Sequence, residues 1–166
     1  ERLRDFVRQR RPHPVTCDPR GLVAEALALL QPAFEDAGIA VDEPHEAPAR
    51  VLDVDRILVV QVLVNLGRNA IDAMRGQPAE CRRLAVTIRD AGPGEVGFVF
   101  ADLGPGIDPA TAEQIFAPFY STKPDGLGLG LAISRSIAEA HGGRLEVEAN
   151  AAGGATFRLF LPARQP

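Results

Sequence analysis

The chain has 166 residues, of which 46% are hydrophobic, with a net charge of −4 and a pI near 5.4. That is the length of one domain with enough apolar material for a single core, and its acidic balance gives no electrostatic reason to expect a nucleic-acid partner. Cys17 and Cys81 show no CxxC spacing, which argues against a zinc site or disulfide framework and fits a reducing, cytoplasmic compartment. No signal-peptide core or apolar run approaching the ~20 residues of a membrane span is read, so no direct membrane contact is expected.

Residues 1–14 read as the end of a preceding helix and its linker, and 15–166 as one domain. Leu3, Phe6 and Val7 form a helical stripe without a capping residue before it, and Arg2, Arg4, Arg8, Arg10 and Arg11 read as a solvated helix end. After Pro14, the spacing of Leu22, Val23, Ala26, Leu27 and Leu30 predicts a core helix ending near Gly38. Two short β-like pieces follow, 38–42 and 50–54. The longest helical pattern then runs from Asp55 to about Met74, with Asp53 or Asp55 as its cap. The alternating runs 84–89 and 96–102 read as a hairpin joined through Asp90 to Gly94. A further helix lies within 126–141, closed by Gly142 and Gly143, and a second hairpin pairs 145–148 with 155–161 through Gly153 and Gly154. The pattern implies an α+β two-layer domain, a mixed sheet with helices on one face.

On the long helix, Gln61, Asn65, Arg68, Asn69 and Asp72 share one narrow stripe, opposite Leu63, Val64, Gly67, Ile71 and Met74. The stripe faces water or a polar cavity; Asn is a poor helix former, and an amide oxygen suits Mg²⁺. Asp102 ends a strand and begins the turn Leu103-Gly104-Pro105-Gly106-Ile107. This is either an ordinary loop or an acceptor for the exocyclic amine of adenine beside backbone that admits a planar ring. Gly126-Leu127-Gly128-Leu129-Gly130-Leu131 leads straight into a helix, where free N–H groups and the positive dipole end suit phosphates. Between them lies Phe116-Ala117-Pro118-Phe119-Tyr120-Ser121-Thr122-Lys123-Pro124, a surface loop or a lid whose Lys123 reaches phosphate.

In this order, the four strings resemble the N, G1, F and G2 boxes of the histidine kinase catalytic domain, within the wider family that includes gyrase-type and Hsp90-type ATPases. QVLVNLGRNAIDAM (61–74) matches the N box, DLGPG (102–106) the G1 box, IFAPFYSTK (115–123) the F box and GLGLGL (126–131) the G2 box. GGATF (153–157) resembles the final G3 segment, where Thr156 would help hold adenine. The short spacing from FYSTK to the glycine loop is most like the nitrogen-regulatory and oxygen-sensing kinases. The resemblance implies the Bergerat-type two-layer sandwich binding ATP or ADP with Mg²⁺. Asn69 would be the metal ligand, Asn65 would lie beside the phosphates, Asp102 would receive adenine, and Lys123 with the 126–130 backbone would hold the phosphates. Arg68 and Asp72 are secondary candidates.

The activity so implied is transfer of the ATP γ-phosphate to a histidine on a separate dimerisation and phosphoacceptor domain of the same kinase, with a response regulator reached through the full kinase. Hydrolysing relatives and anti-sigma-type kinases carry an acidic residue one turn before the magnesium Asn; here it is Asn65, and an amide cannot act as general base. A silent nucleotide binder is a further alternative. None of His13, His45 and His141 combines a helix with an adjacent carboxylate, so the acceptor is expected elsewhere, with Phe116 and Phe119 helping to dock it.

Overall fold

The computed structural model describes residues 13–121 and 127–166. The expected helix end at 1–12, and Lys123 and Gly126, therefore lie outside the described residues.

The chain enters through a strand that the sequence reading missed, β1 (Val15–Cys17), followed by α1 (Pro19–Ala37). Asp18 caps α1, its carboxylate accepting from Gly21 N at 3.0 Å. Gly38 closes it with φ +63, a left-handed conformation that costs glycine nothing, and Ile39 N reaches back to Phe34 O at 2.9 Å. β2 (Ala40–Asp42) and β3 (Leu52–Val54) are the two short pieces expected, but they part company. β2 joins the main sheet, whereas β3 pairs antiparallel with β1, Val15 opposite Val54, in a separate ribbon.

α2 (Arg56–Met74) is the long helix. Asp55 is its cap, accepting from Leu58 N at 3.1 Å, while Asp53 is held instead by Thr16 and Arg164. Beyond a 3₁₀ turn (Ala79–Cys81) come β4 (Arg83–Gly92), β5 (Glu95–Asp102), a second 3₁₀ turn (Gln114–Phe116), α3 (Gly130–Ala140), β6 (Arg144–Ala149) and β7 (Ala155–Pro162). The five-stranded sheet has the order β2-β4-β5-β7-β6, with β2 parallel to β4 and the other pairs antiparallel. Alternate residues of one sheet face, Leu84, Val86, Val96, Phe98, Phe100, Leu145, Leu159 and Leu161, are buried with the apolar stripes of all three helices in one core.

By length and composition alone, α2 could cross a membrane, contrary to the expectation that nothing in the chain approaches that limit. Half of it is buried within the protein and its other side carries the polar stripe, which makes it the central core helix. It packs directly on α1, and Gly67 sits at the closest approach: a Cβ there would lie 2.3 Å from Leu30 Cδ1. A glycine inside a helix costs up to ~1 kcal/mol of helix propensity. The structure shows what the missing methyl admits.

His141, just past α3, ties the two interior helices at their far ends. Its Nε2 accepts the Asp55 N–H at 3.1 Å and its Nδ1 meets Ile137 O at 2.8 Å, so the ring is held between the cap of α2 and the last turn of α3. His141 therefore has a structural role, through two hydrogen bonds.

Gly67→Val should lower stability by roughly 1–3 kcal/mol by overpacking the helix contact. Combined with Leu30→Ala it should cost less than the two single changes added together, as read by chemical denaturation; strict additivity would place Gly67 away from Leu30.

Candidate functional site

The site begins on α2. The predicted stripe divides by depth: Gln61, Arg68 and Asp72 are exposed, whereas Asn65 and Asn69 are half-buried one turn apart, with Asn65 against α3. Charges go outward and the two amides inward. Of the apolar residues expected opposite, Leu63, Gly67, Ile71 and Met74 are buried, while Val64 is partly exposed.

α3 presents its N-terminus to Asn65. Gly130 begins the helix, Leu129 precedes it without a side-chain cap, and the first backbone return is Ile133 N to Leu129 O at 2.9 Å. The first-turn N–H groups therefore have no partner within the helix. A Cβ on Gly130 would stand 2.6 Å from Asn65 Oδ1, and the Asn65 Nδ2 donates to Ser134 Oγ at 2.9 Å. Upstream, Gly128 has φ +65, and a Cβ there would lie 2.6 Å from Phe119 C; Phe119 N donates to Gly128 O at 2.9 Å. The described ends of the F and G2 strings are thus pinned together. Leu129 and Leu131 are partly exposed and Leu127 is 79% exposed.

Asp102 supplies the third wall. Its carboxyl is 2% exposed at the end of β5, and Oδ1 accepts from Gly104 N at 2.9 Å and Ala155 N at 3.2 Å. Burial pushes its pKa above the ordinary 3.8, an effect those two backbone donors oppose. Asn150 holds the adjoining turn, donating from Nδ2 to Asp102 O at 2.9 Å while its Oδ1 accepts from Ala152 N and Gly154 N. The sequence reading missed Asn150. Its only signal is an Asn three residues before the turn glycines Gly153 and Gly154, in a stretch where Asn favours turns.

The glycines of this wall are accounted for by protein packing. A Cβ on Gly104 would lie 2.9 Å from Ala73 Cβ, one on Gly106 (φ +82) 2.4 Å from Gly153 O, and one on Gly154 1.9 Å from Asp102 O. The sequence left this turn as either an ordinary loop or one that admits a planar ligand; in the structure Gly104 and Gly106 let it lie on α2 and on the β6–β7 turn. Ile107 packs against the core behind them.

Thr156 does not join the site. It pairs with Ala101, and alternation places both on the sheet face away from Asp102; Ala155, one residue earlier, occupies the Asp102 side and lends its N–H. Phe116 is corrected as well: it is 5% exposed and lies under the Arg135 guanidinium, 4.6 Å from the ring centroid, so it is a core anchor, whereas Phe119 is 74% exposed. A cavity of about 200 Å³, whose lining includes Asp42, Arg83, Ala101, Asp102, Leu103 and Asn150, opens beside the end of β5. Among the described residues, no group of three or more His, Cys, Asp and Glu is placed to hold a metal ion.

Residues 54–165 match the sequence profile of the histidine kinase-, DNA gyrase B-, and HSP90-like ATPase family. The chain belongs to that family. Among its relatives are the C4-dicarboxylate transport sensor protein DctS of Rhodobacter capsulatus, 40% identical over 99% of this chain and 25% of DctS, and the sensor protein FixL of Bradyrhizobium diazoefficiens, 40% identical over 98% of this chain and 32% of FixL. The chain thus spans only a quarter to a third of these relatives. Full-length ShkA in complex with AMPPNP superposes with a TM-score of 0.82 at 28% identity, covering 95% of this chain and 32% of that one. The catalytic domain of the histidine kinase ThkA superposes at 0.76 and 30% identity, covering 90% of this chain and 95% of that one. The α+β two-layer sandwich expected from the sequence is therefore the fold of histidine kinase catalytic domains.

Because its folded-state pKa is raised, Asp102 contributes stability that is present at acid pH and is lost as pH climbs from 3.8 through that raised value. Asp102→Asn keeps an oxygen for Gly104 and Ala155 and removes the buried charge. Urea unfolding at about pH 4 and about pH 7 should show the variant gaining on the unmodified chain as pH rises; a variant that loses ground would mean the carboxylate is favoured by its surroundings.

Proposed function

We propose that this chain is the ATP-binding catalytic domain of a sensor histidine kinase, transferring the γ-phosphate of ATP to a histidine on a separate dimerisation and phosphoacceptor domain of its parent. The observation that carries this reading is that α2 meets both the N-terminus of α3, at Asn65, and the Asp102–Gly104 turn, at Ala73 two turns further on, with Asn69 between them on the helix. Adenine donates its exocyclic amine to Asp102. Guanine would set a carbonyl against that acceptor at a cost of roughly 1–3 kcal/mol. The backbone of 126–130 and the first turn of α3 hold the phosphates, with Lys123 closing over them. Mg²⁺ fits the donor set: such an ion takes one or two protein oxygens and completes its shell with phosphates and water. Asn69 would hold it, and the ion would neutralise phosphate charge.

Transfer is favoured over hydrolysis because Asn65 stands where a hydrolase of this family needs a carboxylate, and its amide is bound to Ser134. The acceptor is not in this chain. His13 and His45 lie outside helices, and both ring nitrogens of His141 are engaged. The exposed Phe119 and Leu127 are proposed to meet the acceptor domain, in a cytoplasmic setting, with a response regulator reached through the whole kinase.

Calorimetry with ADP should show Mg²⁺-dependent binding, and Asn69→Ala should lose the metal-dependent part, roughly tenfold or more. Labelled ATP should leave the chain alone unlabelled and put acid-labile label on the helical domain that precedes it in the parent. Label on this chain alone, or unchanged Mg²⁺ dependence in Asn69→Ala, would overturn the assignment.

A further inference from the structure

Ser134 is one of three buried polar residues among those described, 2% exposed on the second turn of α3. An alanine would fill the same position beside Ile137 and Ala138, so packing does not require a hydroxyl there. The neighbouring Ser136 follows the ordinary course for a helical serine, donating to Ala132 O one turn back at 3.1 Å. Ser134 instead accepts a hydrogen bond from another helix, the Asn65 Nδ2 at 2.9 Å.

The bond is one half of a notch. Gly130 lies one turn N-terminal to Ser134 on the same face of α3. A Cβ on Gly130 would fall 2.6 Å from Asn65 Oδ1 and 3.3 Å from Nδ2, so the amide lies flat across bare backbone there. Asn65 is fastened below by the Ser134 hydroxyl and admitted above by the absent Gly130 side chain. The notch fixes the rotation of the amide and, through it, the height of α3's first turn against α2, where Asn69 stands one turn further along. The adenine wall at Asp102, Gly104 and Ala155 is built from β5, its following loop and β7, and none of its hydrogen bonds involves α3.

We propose that Ser134 is a positioning residue for nucleotide phosphates: by clasping Asn65 beneath Gly130 it sets the α3 N-terminus against the amide face of α2, while leaving recognition of the base untouched. This rests on the nucleotide-binding reading above and concerns only the phosphate half of that site.

The test compares ADP with adenosine, which has the base but no phosphate, on the intact chain by NMR titration, with thermal unfolding recorded in parallel. Ser134→Ala should weaken ADP about five- to tenfold, the worth of one hydrogen bond, and leave adenosine unchanged. Ser134→Thr, which keeps the hydroxyl, should retain most of the ADP affinity, and Ser134→Ala should add nothing in an Asn65→Ala background. Unchanged ADP affinity in Ser134→Ala, equal losses for ADP and adenosine, or a further loss in the Asn65→Ala background would each overturn the proposal. Should Ser134→Ala fail to fold, Ser134→Thr decides, because loss of ADP binding with adenosine retained would show that the hydroxyl is not what matters. An unmodified chain that binds neither ligand would remove the nucleotide reading itself, and this proposal with it.

Discussion

Taking the Asp102 carboxyl out of water at the end of the central strand is unfavourable, and three neighbouring segments are shaped around the cost. The backbone of Gly104 turns in to donate, β7 brings the Ala155 N–H, and Asn150 clamps the β6–β7 turn to the Asp102 carbonyl. These contacts demand closeness, and closeness demands glycine at 104, 106 and 154, where a Cβ would strike Ala73, the Gly153 carbonyl or the Asp102 carbonyl. Two bonds on Oδ1 soften the desolvation without abolishing it, and the group remains harder to ionise than an exposed aspartate. A buried acceptor left only partly compensated is unfavourable in isolation and serves well for recognition, since a ligand donor gains what the fold gave up.

The same logic of close approach governs the helices. Gly67 lets α1 sit on α2, Gly130 lets the Asn65 amide lie on α3, and Gly128 lets the segment after Phe119 fold against the glycine string. α2 is therefore held on both sides, by α1 at Gly67 and by α3 at Asn65. His141 ties the other end of α3 to the cap of α2, so α3 is registered against α2 near both of its own ends. Such preorganisation lets a few side chains define a site without being reshaped by what they bind.

Much of this was legible beforehand, for physical reasons. The apolar periodicities of 22–30 and 55–74 gave the helices, because burial of one stripe is a local property of the chain. The alternating runs and their turn glycines gave both hairpins. What sequence could not give is which strands pair: β2 and β3 look alike, and only the tertiary context sends one to the main sheet and the other to β1. Thr156 misled because a β-turn's residue count decides which face a strand residue occupies, and a shift of one exchanges Thr156 for Ala155. Gly67 carries no signal of its contact with Leu30, which lies on another helix. Ser134 and Asn150 went unnoticed because a single buried hydroxyl or a turn asparagine carries no pattern until its partner, dozens of residues away, is in place.

Selection of the base by Asp102 is the claim on which the rest of the account turns, and the direct measurement is a calorimetric comparison of ADP with GDP on the unmodified chain under identical Mg²⁺. An unpaired acceptor facing a guanine carbonyl should make GDP weaker by roughly tenfold or more. Equal affinities would contradict the account, because the buried carboxyl would then face something other than the base.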